Sequence, residues 1–188
     1  MRYQITPNTM SVMVPAETPA GSSPRAFARS RITARAPIAD LDLGVLRRAF
    51  DAKFWGHVTT IQATLPYLAP AGSITLLGAI TARAAMPGTA GIAEINGAVE
   101  ALVRPLAAEL GPIRVNGVSP GLVDTPWWDG LPEDARRSYF TQAAQQLPAR
   151  RIATADDIAD AVVLAATNPN LTGTIIETDG GARLVSMS

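Results

Sequence analysis

The chain has 188 residues, 47% hydrophobic and 17% charged, with a formal net charge of zero; that suits one domain with its own core and argues against a phosphate-backbone binder, which needs a clustered basic face. It contains no cysteine and a single histidine, His57, which excludes disulfides, thiolate metal sites, multi-histidine metal clusters and any triad with two histidines. No apolar run approaches the roughly 20 residues a membrane helix needs, and the start, MRYQITPNTMSVMVP, has no continuous apolar core of a signal peptide.

Residues 1–36 mix Pro, Ser, Thr and Arg without periodicity, as in PAETPAGSSPRAFARSR. Little packed structure is expected there, and VMV at 12–14 is too short to assign as a strand. From residue 37 onward, periodic segments alternate. Asp40 or Asp42 is placed to cap a helix running to about Leu68, whose face carries Phe50, Lys53, His57, Ile61 and Thr64. Ser73–Leu77 reads as a buried strand bounded by turn residues. A second long helix spans about 90–110, with Ile92, Ile95, Val99, Leu102, Leu106 and Leu110 on one side. Gly111-Pro112 stops it, and Ile113–Val118 reads as the next strand.

Residues 119–130 form a loop rich in Pro, Gly and Trp. A moderately apolar helix follows at about 131–146, where Trp127, Trp128 and Tyr139 either line a pocket or, preferably, pack beneath it. Thr154 and Asp157 have the spacing of a capping box, opening a helix with Ile158, Ala161, Val162 and Ala165 inward. Thr174–Thr178 is the last strand, followed by the turn Asp179-Gly180-Gly181. Strands alternating with helices imply right-handed crossovers and a parallel sheet covered on both faces. Ligands in such folds sit beyond the carboxyl ends of the strands, which points to Gly78, the 119–125 loop and Asp179.

Several of these segments resemble the short-chain dehydrogenase/reductase family: IRVNGVSPGLVDTPWW at 113–128, GTIIETDGGARLV at 173–185, FDAKFWG at 50–56, INGAVEALVRPLAAEL at 95–110 and RRIATADDIADAVVLAAT at 150–167. Their order and spacing cover about residues 37–185. The resemblance implies a Rossmann-like doubly wound parallel sheet, here an incomplete one corresponding to the C-terminal half of that fold, over residues 37–188. It implies NAD(P) as cofactor and a small carbonyl or alcohol as substrate. It further implies that Pro120, Gly121, Val123 and Thr125 hold the nicotinamide end, that Asn96 hydrogen-bonds the ribose, and that the chain is a homo-oligomer paired through helices at about 44–68 and 90–110; the absence of cysteine fits a cytoplasmic location.

The chain departs from the family at the chemistry. No TGxxxGxG turn is present, so the member is expected to be N-terminally truncated. The family places a tyrosine and a lysine one helical turn apart, so that the ammonium lowers the phenol pKa, and a serine thirteen residues earlier. Those positions carry Ile92, Asn96 and Ala79. Lys53, the sole lysine, stands where the family often has an asparagine, and His57 lies one turn on; the pair is the candidate substitute for proton transfer. The expectation is therefore an oxidoreductase with impaired catalysis. The alternative is a non-catalytic dimerisation module that binds no nucleotide. No metal site is expected.

Overall fold

The computed structural model describes residues 10–12 and 36–185. Apart from residues 10–12 and 36, the segment expected to be poorly packed lies outside the described residues. Four parallel strands form one sheet in the order β1 (Met10–Val12), β2 (Ser73–Leu77), β3 (Arg114–Pro120), β4 (Ile175–Thr178). Val118 pairs with Leu77 on one side and Ile176 on the other. The last three strands match their sequence expectation to within two residues at either end. The first does not: a strand forms at 10–12, overlapping VMV only at Val12, and pairs Met10 with Ile74 and Val12 with Leu76.

All-parallel pairing requires cover on both faces, and the apolar residues divide accordingly. On one face, Ile74, Leu76 and Val115 pack with Ile61 of helix α2 (Gly56–Thr64), Val99 of α3 (Ala90–Ala101) and Val103 of α4 (Val103–Glu109). On the other, Val118 packs with Ile158, Ala161 and Ala165, with Leu77 and Ile176 alongside. Those helical residues belong to α6 (Ala155–Thr167), which follows α5 (Glu133–Gln146). The capping box read from Thr154 and Asp157 forms: Thr154 N–H donates to Asp157 Oδ2 at 2.7 Å and Asp157 N–H to Thr154 Oγ1 at 3.3 Å. No helix of the described residues is long and apolar enough to cross a membrane.

The helix expected from Asp42 to Leu68 is not uniform. Asp42 caps α1 (Leu43–Phe50), accepting from Gly44 and Val45 N–H. A π-helical turn, Asp51–Trp55, follows before α2. The far end of α6 is closed from the sheet. Arg114 donates to the carbonyls of Ala165, Ala166 and Asn168 at 3.1, 2.6 and 2.8 Å, the acceptors a helix C-terminus leaves unpaired. Hydrogen bonds from a charged donor carry more than neutral ones. Arg114→Met is therefore expected to cost about 2 kcal/mol of unfolding free energy, read as a lower midpoint in urea at unchanged slope.

Candidate functional site

The carboxyl ends of β2 and β3 bring together residues from three helical segments. The π-helical turn carries Lys53, whose Nζ donates to Asn96 Oδ1 on α3 at 2.5 Å and reaches the Gly78 carbonyl at 3.4 Å. Asn96 is 2% exposed. Its Nδ2 donates to Thr81 Oγ1 at 2.8 Å and to the Ile92 carbonyl at 3.0 Å. The ammonium has only hydrogens to offer, so the amide oxygen must face it and the amide nitrogen must face Thr81. Burial pushes Lys53 down to about 8, while the Glu100 carboxylate resists that fall.

Glu100 follows Asn96 by one turn, and its carboxylate lies over Gly78. A Cβ on Gly78 would come within 2.7 Å of Glu100 Oε1, so glycine there admits the acid to the strand end. Glu100 Oε1 and Ser119 Oγ are buried without a hydrogen-bond partner. Glu100 Oε2 takes Arg83 at 2.5 Å, Arg83 also pairs with Glu177, and Glu177 pairs with Arg183 at 2.7 Å. This ion-pair chain ties the loop after β2 to α3 and β4.

His57 is fully buried, and its Nδ1 lies 2.7 Å from the Lys53 backbone carbonyl. A carbonyl only accepts, so Nδ1 bears the proton. Burial pushes the imidazole pKa down, opposed by that hydrogen bond and aided by the nearby ammonium. The two residues therefore meet through the Lys53 backbone, and no hydrogen bond joins their side chains. Ala79 and Ile92, at the positions expected for a hydroxyl and a phenol, are half-buried.

In the 119–125 loop, Pro120 ends β3 and Gly121 follows. A Cβ on Gly121 would meet the Asp179 backbone at 2.7 Å, so close packing of two loops already requires the glycine. The Val123 carbonyl accepts Trp128 Nε1–H at 3.0 Å, and the Val123 segment bridges to Ala153. Trp128 meets the Tyr139 ring at a tilt and the Phe140 ring edge-on, with centroids 5.4 and 5.6 Å apart, in keeping with packing beneath α5. Thr125 is half-buried at the start of the turn Pro126–Trp128. Asp179 is 4% exposed and accepts from Gly181 N–H, Arg183 N–H and the Arg183 guanidinium. Burial alone would raise its pKa, and those donors outweigh it, so the carboxyl sits below its ordinary value. It shapes the turn. A cavity of about 230 Å³ borders Leu122, Arg151, Thr178 and Asp179; neither Thr81 nor Asn96 lines it. Among the described residues no group of three or more acidic or histidine side chains could hold a metal ion.

Thr81 was not singled out from sequence. The available signal is a hydroxyl two residues past Ala79, just beyond the end of β2.

A family model described as Enoyl-(Acyl carrier protein) reductase matches residues 25–183. The chain is 31% identical over 150 residues to the short-chain dehydrogenase/reductase malC of Malbranchea aurantiaca, covering 79% of this chain and 57% of that one. It is 31% identical over 153 residues to cis-4-hydroxycyclohexanecarboxylate dehydrogenase of Sinomonas cyclohexanicum, covering 78% and 60%. The chain thus spans under two thirds of the length of either relative. Among solved structures, a small-chain dehydrogenase in complex with NADPH superposes with a TM-score of 0.83 at 34% identity, covering 95% of this chain and 74% of that one.

Proposed function

We propose, because the chain belongs to the short-chain dehydrogenase/reductase family, that it is an NAD(P)-binding oxidoreductase of carbonyl or alcohol substrates whose hydride-transfer chemistry is impaired. The observation that carries this reading is Ile92, an apolar side chain one turn before Asn96 where the family keeps its proton donor. A bound reduced nicotinamide would supply the hydride. Carbonyl reduction also needs a proton on the new alkoxide, and neither Ile92 nor Ala79 has one to give. General acid catalysis is worth about 10²–10⁴-fold, so a chain without it is left with positioning alone.

The residues at the strand ends fit the nicotinamide half of the nucleotide. Thr81 and Thr125 offer hydroxyls there, Lys53 supplies positive charge through Asn96, and Glu100 Oε1 and Ser119 Oγ are buried polar atoms without a hydrogen-bond partner. The Val123 carbonyl is already engaged by Trp128, which leaves the loop with fewer backbone groups for a carboxamide. Titration of the purified chain with NADPH, followed by tryptophan fluorescence, is expected to give a Kd in the micromolar range, about −8 kcal/mol. NADPH consumption with a panel of ketones and aldehydes is expected to be slow at saturating nucleotide. Rapid turnover would remove the impairment, and the absence of a fluorescence change up to millimolar NADPH would remove the nucleotide site.

The second reading is a dimerisation module. Leu43, Trp55 and Tyr67, all on the segment 43–67, are 60%, 53% and 79% exposed, an apolar surface that a homo-oligomer would cover. Sedimentation giving a dimer together with a silent NADPH titration favours it.

A further inference from the structure

Resting on the nucleotide reading above, we infer that Thr81, rather than Asn96, is the side chain that hydrogen-bonds a hydroxyl of the nicotinamide ribose, and that Lys53 and Asn96 are the residues that aim it. The amide of Asn96 has two N–H groups, and both are spent, on Thr81 and on the Ile92 carbonyl. Its oxygen is held by the Lys53 ammonium. At 2% exposure it presents no free donor to a ligand. The sequence expectation that Asn96 itself contacts the ribose therefore passes to the next member of the chain.

Thr81 Oγ1 accepts the Asn96 N–H, so its own hydrogen must point elsewhere. Among the described residues that hydroxyl donates no hydrogen bond, and Thr81 is only half-buried. It sits in the turn Ile80–Ala82, directly beyond the carboxyl end of β2, where a parallel sheet receives its ligand. The ammonium polarises the amide and the amide polarises the hydroxyl, each bond strengthening the next. Lys53 forms no ion pair with a carboxylate among the described residues. Its charge meets the Gly78 carbonyl and the field of the Glu100 carboxylate, and acts on Thr81 through the Asn96 amide. Relative to the family pattern, lysine and asparagine have exchanged helices, and here they are bonded to one another.

The test is NADPH affinity in wild type, Thr81→Val, Thr81→Ser and Asn96→Leu, each checked for an unchanged thermal midpoint. Thr81→Val keeps the shape and removes the hydrogen, and is expected to weaken binding about fivefold to tenfold. Thr81→Ser restores the hydroxyl and is expected to stay within about twofold of wild type. Asn96→Leu releases the hydroxyl from its orientation and should fall between the two, a loss a merely structural Thr81 would not mirror. If Thr81→Val binds as tightly as wild type, the assignment of Thr81 is overturned while the nucleotide site stands. Wild type that fails to bind NADPH overturns both.

Discussion

Replacing four side chains together, Ala79→Ser, Ile92→Tyr, Lys53→Asn and Asn96→Lys, is expected to raise NADPH-dependent carbonyl reduction at least about 100-fold. The effect is large because it returns a missing proton, not a contact. A tyrosine at 92 lies one helical turn from a lysine at 96, so the ammonium would stabilise the phenolate and bring the phenol into a useful range. Lys53→Asn is included because the present ammonium lies 2.5 Å from the Asn96 oxygen; two lysines there would repel. Loss of NADPH absorbance with ketones and aldehydes measures the gain. Ile92→Tyr alone should recover part of it, since Lys53 already places a charge beside α3. A four-fold variant that binds NADPH, keeps its fold and turns over no faster would mean that proton donation is not what limits this chain.

Stability should also rise between about pH 8 and 10.5 by an amount that vanishes in Lys53→Met. Lys53 is held near 8 in the folded chain by burial, against a reference of 10.5. Between those values the unfolded chain binds the proton that the folded chain has given up. Unfolding therefore becomes harder as pH rises through the window, and the stabilisation is complete above 10.5 and gone below 8. The contribution is about 1–3 kcal/mol, the lower figure allowing for solvent around a half-buried side chain. Urea midpoints for the two proteins, taken across this range, give the difference directly. Parallel curves would mean that the ammonium is better solvated than its surroundings suggest.

The alternation of segments made three of the four described strands and most helices legible, because apolar runs and helical spacing report burial directly; the one helix read at about 90–110 divides at Leu102 into α3 and α4. Met10–Val12 was not legible: three residues carry no periodicity, and only pairing with Ile74–Leu76 makes them a strand. The family positions of Lys53 and Asn96 were readable from sequence, but their contact was not. It depends on a π-helical turn, which no propensity announces and which rotates everything after it. Pairing Lys53 with His57 followed from ordinary helical spacing; that turn instead sets the imidazole against the Lys53 carbonyl. The close approach of the Asp179 backbone, which also requires glycine at 121, was not legible, because it joins two loops far apart in sequence. Thr81 escaped notice because its importance lies in a hydrogen that its partner forbids it to share backward.

The π-helical turn at Asp51–Trp55 has a bearing on how such a site can be gained or lost. It accommodates one residue more than the α-helical ladder needs, secured where the buried His57 ring grips the Lys53 carbonyl. Removing Phe54 or Trp55 would let the ladder close without breaking the helix, while moving Lys53 by one position, roughly 100°, around the axis relative to α2. Lys53 would then swing off Asn96 though no side chain at the strand ends had changed. Descendants differing by one codon could thus carry the same pocket composition with opposite electrostatic character.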